Sequence, residues 1–287
     1  MINITHDIES LRSLSQLFSP AVFKRIIRND TKLFEQRIRK HVSLNESITT
    51  AELIKSLYSS FELSYKNEYI YKNTLINDLL LKKYCLETTS VLNEFKIANS
   101  IADFTLLNGE VRIYEIKTEF DGLDKLKKQI SDYLKFANKV YIVTDSKFTA
   151  RILNEYEESV VGVIELTSSN ELNEIKPATE NLFFLDHTTI FKTLRKNEYI
   201  EIINDFFGFI PEVPNTLIFR ECLSLSSTID ISVFQKMAFK KLKERKLKCP
   251  NLLKSNETPY ELKHICNSLN LNNKEYQSLF SFLNKTI

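Results

Sequence analysis

The apolar positions change period several times through the middle of the chain, and each change marks an element. Over 66–84, Ile70, Leu75, Ile76, Leu79 and Leu80 recur at helical spacing, which predicts a single helix. Residues 91–97 alternate like a strand, with Glu94 at the centre. Segments 101–107 and 111–117 read as two strands of a hairpin turning at Asn108-Gly109. Leu123, Leu126, Ile130 and Leu134 mark the buried face of a helix over 121–137. The nearly continuous apolar run 139–144 is the pattern of a strand covered on both sides. A helix over 146–157 and a strand over 160–166 complete the order α-β-β-β-α-β-α-β. That order predicts a mixed sheet flanked by helices, an α/β fold.

The flanks read differently. Residues 1–60 are expected to be helical throughout, with Ser19-Pro20 as N-cap and first helical residue. Lys24, Arg25, Arg28, Lys32, Arg37, Arg39, Lys40 and His41 make this the more basic end, suited to phosphate contact or to a solvated helix face. Residues 168–180 are polar and read as a linker. A helical region, 181–287, follows, with helices over roughly 188–207 and 230–248 and breaks at Pro211 and Pro214. Thr258-Pro259-Tyr260-Glu261 has the form of a capping box. The stretch 258–285 fits a helix-turn-helix. Leu262, Ile265 and Leu269 would form the first helix, and Asn270 the left-handed turn. Lys274, Gln277, Ser278 and Ser281 would face outward. Three regions follow: helical 1–60, an α/β core over 61–168, and helical 181–287.

Composition narrows the class only slightly. Hydrophobic residues at 43% and charged residues at 26% are ordinary for a globular protein. A net charge of +2 announces no polyanion partner but excludes none, because acidic ligands offset basic patches. The start lacks a signal-peptide pattern, and no apolar run approaches the ~20 residues of a membrane span, so a cytoplasmic protein is expected. Four scattered cysteines without a C-x-x-C pair suit a reducing compartment. The spacing of Cys249, His264 and Cys266 matches no zinc finger.

The central hairpin carries chemistry that its apolar setting does not explain. Asp103 lies early in its first strand, and Glu115-Ile116-Lys117 closes the second. Charge is buried on such a hairpin only when something pairs with it, and a divalent metal is one such partner. Strand periodicity puts Glu115 and Lys117 on one face. A two-residue turn would set Asp103 against Tyr114 and put the two carboxylates on opposite faces. A shared site therefore requires a loop of odd length or a bulge.

Asp103 and Glu115-Ile116-Lys117 on a hairpin, after a helix with Glu68 in its first turn, resemble the PD-(D/E)XK nuclease superfamily. In the next helix, Gln129-Ile130-Ser131-Asp132-Tyr133 resembles the Q-x-x-x-Y motif of its RecB-like branch, and Gln129 and Tyr133 share a helical face. Ala102 replaces the motif's proline, and the likeness spans about residues 64–145. The resemblance implies a restriction-endonuclease-like αβββαβ core. Asp103 and Glu115 would be ligands of Mg²⁺ or Mn²⁺, and Lys117 the catalytic lysine. Glu68 would be the helix carboxylate that completes the site, with Glu94 competing for that place. Gln129 and Tyr133 would lie near the scissile phosphate. The implied activity is metal-dependent hydrolysis of phosphodiesters, with DNA the first expectation for a partner. The alternatives are an RNase of the same superfamily, or a nucleic-acid- or partner-binding module that keeps the fold without cleavage. A homodimer or a partner protein stays open.

Overall fold

The computed structural model describes residues 2–181 and 183–287. The N-terminal part contains β1 (Ile2–Ile4), α1 (Ile8–Ser15), α2 (Pro20–Ile27), α3 (Lys32–His41), β2 (Val42–Leu44) and α4 (Thr50–Ser64). It is not helical throughout, because β1 and β2 pair as a short antiparallel ribbon. Ser19 caps α2 as expected, accepting from the Val22 N–H. The helix expected over 66–84 is α5 (Glu68–Thr74), capped by Asn67, which continues as a π-helical segment, Leu75–Leu81.

Next come β3 (Ser90–Ile97), β4 (Ser100–Asn108), β5 (Glu110–Lys117), α6 (Leu126–Leu134), β6 (Lys139–Thr144), α7 (Ser146–Glu155) and β7 (Gly162–Leu166). The polar stretch read as a linker carries β8 (Leu172–Lys176), which pairs antiparallel with β7 as an edge strand. Its side chains are mostly solvated. An edge strand solvated on both faces therefore looked like linker in the sequence. The six strands lie in sequence order, antiparallel from β3 to β5, parallel from β5 to β7, and antiparallel again at β8. The fold is mixed α/β.

The C-terminal helices are α8 (His187–Lys192), α9 (Lys196–Phe207), α10 (Ile218–Ser226), α11 (Ile231–Lys243), α12 (Pro250–Lys254), α13 (Lys263–Leu269) and α14 (Asn273–Leu283). The capping box expected at Thr258 does not form. The Thr258 hydroxyl donates to Leu252 O, and Tyr260–Leu262 is a 3₁₀ turn without a side-chain cap. The turn between α13 and α14 is as expected, with Asn270 left-handed at φ 48° and Asn272 capping α14.

Two apolar cores form, one on each face of the sheet. Phe104, Leu106, Tyr114, Ile116, Val143 and Leu166 pack with α1 to α5, the π segment, α13 and α14. Leu107, Val111, Ile113, Val140, Ile142 and Val163 pack with α6, α7 and the helices α8 to α11. The C-terminal helices are thus shared between the two layers, and α13 packs directly against α5. Asn73 fastens that contact: its Nδ2 donates to Tyr58 Oη and Tyr260 O, and its Oδ1 accepts from the His264 N–H. Among the described residues no helix is long and apolar enough to cross a membrane.

Candidate functional site

The site lies where β4 and β5 separate. Their paired residues run from Asn108↔Glu110 to Phe104↔Tyr114, with Gly109 at φ 71° in the turn. The loop is therefore of odd length, and the register, continued by one step, sets Asp103 opposite Glu115 on one face. This is the parity a shared site requires. Beyond that point β4 stays with β3 while β5 stays with β6, as far as Lys117↔Thr144. Asp103 Oδ2 accepts the Ile116 N–H at 2.8 Å, standing in for the strand carbonyl that has moved away.

Glu115 is 1% exposed and accepts three donors. Lys117 Nζ lies 2.8 Å from its Oε1, Gln129 Nε2 donates to the same oxygen, and Tyr133 Oη lies 2.7 Å from Oε2. Tyr133 Oη is also 2.8 Å from Ile101 O, so α6 bridges the two parted strands through one hydroxyl proton shared between two acceptors. Burial, then the Glu115 carboxylate, raises the Tyr133 pKa and keeps it a donor. Asp132, one residue before it, receives Ser100 Oγ at 2.8 Å and so docks α6 on the β3–β4 turn. Gln129 and Tyr133, expected near a phosphate, thus hold Glu115 in place.

From the opposite layer α5 contributes Glu68 and Lys72. The Lys72 ammonium contacts both Glu68 and Glu94 and lies 3.5 Å from Asp103 Oδ1. One oxygen each from Glu68, Glu94 and Asp103 lies within 4.8 Å of the others. Glu94 is left-handed at φ 51°, and the β3–β4 pairing skips it. Such backbone in a non-glycine residue is strained and persists where its surroundings enforce it. Lys72 was not singled out in the sequence. Its signal was the i, i+4 spacing from Glu68 on one helical face.

Charge is crowded here. Burial first, then Glu115, pushes the Asp103 carboxyl up to about 8, against the pull of Lys72. Burial likewise raises Glu115, although Lys117 draws it down. Burial alone would depress Lys72, but Asp103 and Glu68 outweigh it and hold the ammonium above its usual range. Two facing carboxylates that resist ionising are a hard oxygen donor set of the kind a divalent cation would suit. Gln129 Oε1, buried without a hydrogen-bond partner beside them, fits it too. No cysteine–histidine ligand group occurs among the described residues.

A second feature lies between α2 and α14. Lys24 and Arg28 face Lys274, Glu275 and Ser278 across a groove, and among the described residues none of the three cations has an ion-pair partner. Gln277 and Ser281 are exposed on the same helix, as the helix-turn-helix reading expects.

Fold and site together define a mixed α/β protein with a carboxylate–lysine cluster where the two central strands part. The family described as Bacteriophage P4 protein cII matches residues 61–268, and the chain belongs to that family. Protein cII of Enterobacteria phage P4 is 28% identical over 172 residues. The match takes in 58% of this chain and 63% of that protein, so the chain spans less than two thirds of its curated relative. A solved structure, the SPO1766 protein of unknown function from Silicibacter pomeroyi, aligns at 20% identity and a TM-score of 0.27. It covers 34% of this chain and 64% of its own, a likeness too slight to bear on fold or function.

Proposed function

We propose that the chain is a metal-dependent nuclease of the PD-(D/E)XK kind that hydrolyses phosphodiester bonds in DNA. The observation that carries this reading is the pair Asp103 and Glu115, facing each other at the parting of β4 and β5 with Lys117 on Glu115. The element order α5-β3-β4-β5-α6-β6 supports it, as does the seating of Gln129 and Tyr133 on Glu115. Asp103 and Glu115 would hold Mg²⁺ or Mn²⁺. The bound ion would supply charge relief to the phosphate and acidify a water. Lys117, near the open end of the parted strands, would orient that water or meet the developing negative charge. Gln129 and Tyr133 keep Glu115 from swinging away, and Asp103 is kept in place by the Ile116 N–H.

The groove of Lys24, Arg28, Lys274 and Ser278 supports a nucleic-acid partner and also favours the second reading, a binding module that does not cut. One assay separates them: single-stranded DNA, duplex DNA and RNA, each with Mg²⁺, Mn²⁺ or EDTA. The nuclease cuts DNA with metal and loses all cutting in Asp103→Ala and Lys117→Ala variants that still fold. Cutting undiminished in the double variant refutes the site, and cutting of RNA alone makes the enzyme an RNase. Binding without cutting in any arm leaves the module.

A further inference from the structure

Lys72 stands where a second cation would be expected. Its side chain is 7% exposed, whereas Glu68 and Glu94, which grip its ammonium, are 53% and 59% exposed. A lysine head buried so far would lose its hydration without return unless carboxylates replaced it. Here three do, and one of them, Asp103, is shared with the pair at the strand fork. Glu68 grips Lys72 from one helical turn earlier, and Glu94 reaches it from the strained position in β3. Three carboxylate oxygens within 4.8 Å would suit a divalent ion, but an ammonium already lies among them.

The charges of the two ion-paired groups at the fork give a stoichiometry. With both fork carboxylates ionised, as ligands of a cation would be, Asp103, Glu115, Glu68 and Glu94 contribute four negative charges, and Lys72 and Lys117 two positive ones. One divalent cation balances the remainder. A second would leave a positive excess beside the buried ammonium of Lys72, where like charges are costly. We infer that Lys72 is a built-in replacement for a second metal ion. The site then loads a single divalent cation, held by Asp103 and Glu115, while Glu68 and Glu94 serve the lysine. This rests on the metal-dependent reading above and narrows it to a one-metal site with a positioning lysine.

The test is Mn²⁺ binding to the intact protein without nucleic acid, read as stoichiometry by calorimetry or by the spin-resonance signal of free Mn²⁺. Wild type is expected to bind one ion and Lys72→Met two, with Lys72→Arg remaining at one. Glu68→Gln and Glu94→Gln should each keep the single ion, weakened by no more than about threefold, as expected of exposed charges that act through solvent. These two variants decide the matter even if Lys72→Met does not fold. Two ions in wild type, a single ion in folded Lys72→Met, or loss of the ion in Glu94→Gln overturns the inference and leaves the metal site standing. No Mn²⁺ bound by wild type overturns the metal reading itself and this inference with it.

Discussion

The clearest test of the strand fork is the pH dependence of stability without metal, in wild type and in Asp103→Asn. The Asp103 side chain is 16% exposed, and its carboxyl is raised from 3.8 to about 8. With a raised folded pKa, the native protein keeps a proton that the unfolded chain has lost. Stability from this source is full below about pH 4 and drains away as pH rises toward 8. Buried His264 works in the opposite direction. Burial, then the nearby Lys72 charge, lowers its pKa to about 3, so its contribution is complete above about 6.5 and lost as pH falls. The two oppose each other between 4 and 6.5, and the His264 contribution is already complete between 6.5 and 8. Treated as a single site, Asp103 gives up about 1–2 kcal/mol over that interval, because each pH unit below the raised pKa is worth roughly 1 kcal/mol and the slope halves near it. Glu115, raised by burial, adds in the same direction. For a chain of this size the loss is a fall in Tm of roughly 3–6 °C.

The assay is thermal unfolding followed by circular dichroism at half-unit steps from pH 6.5 to 8, in EDTA. Asparagine keeps an acceptor for the Ile116 N–H but has no charge to lose, so the variant's curve should be flatter by that amount. Parallel curves for the two proteins would refute the assignment of buried, mutually repelling carboxylates at the fork. Adding Mn²⁺ at about a hundred times its dissociation constant should restore about 2.7 kcal/mol to wild type and nothing to the variant.

Three further outcomes are expected. Tyr133→Phe removes the hydroxyl between Ile101 O and Glu115 Oε2 and should cost about 1–3 kcal/mol in chemical denaturation, so an unchanged midpoint would deny the bridge. Arg245 clasps buried Glu198 at 2.6 and 2.8 Å and ties the end of α11 to α9. Arg245→Met leaves that carboxylate with only the Arg195 N–H and should cost about 2–4 kcal/mol, and a loss of less than a fifth of this would show the pair to be dispensable. Replacing Lys24, Arg28 and Lys274 together by alanine should weaken DNA binding regardless of sequence and lower its salt slope by about one per residue. An unaltered slope would remove the groove from the interface.

Much of this molecule was legible from local pattern. The period changes along 66–166 marked the helices and strands of the α/β core in order, because each face of those elements meets a single environment. The parity of the hairpin was also legible in the sequence alone. A period of two makes the turn length decide whether Asp103 and Glu115 can face the same way, and Gly109 supplied the left-handed residue that an odd loop uses. Where both faces of a strand were largely solvated, as in β8, the pattern had too little contrast to show. The β1–β2 ribbon was too short to leave a period at all.

Other features depended on contacts between elements distant in the chain. Lys72 became a central residue only when α5, packed on one face of the sheet, brought it to Asp103 on β4 and Glu94 on β3. The sequence had placed Gln129 and Tyr133 on one helical face, but it could not say that the face would close on Glu115. Nor could it divide the C-terminal helices between the two layers, because apolar stripes of similar width fit either face. Periodicity reports which side of an element is buried. Only the packed chain determines which side chains share that burial, and it is this sharing that sets the charge at the fork.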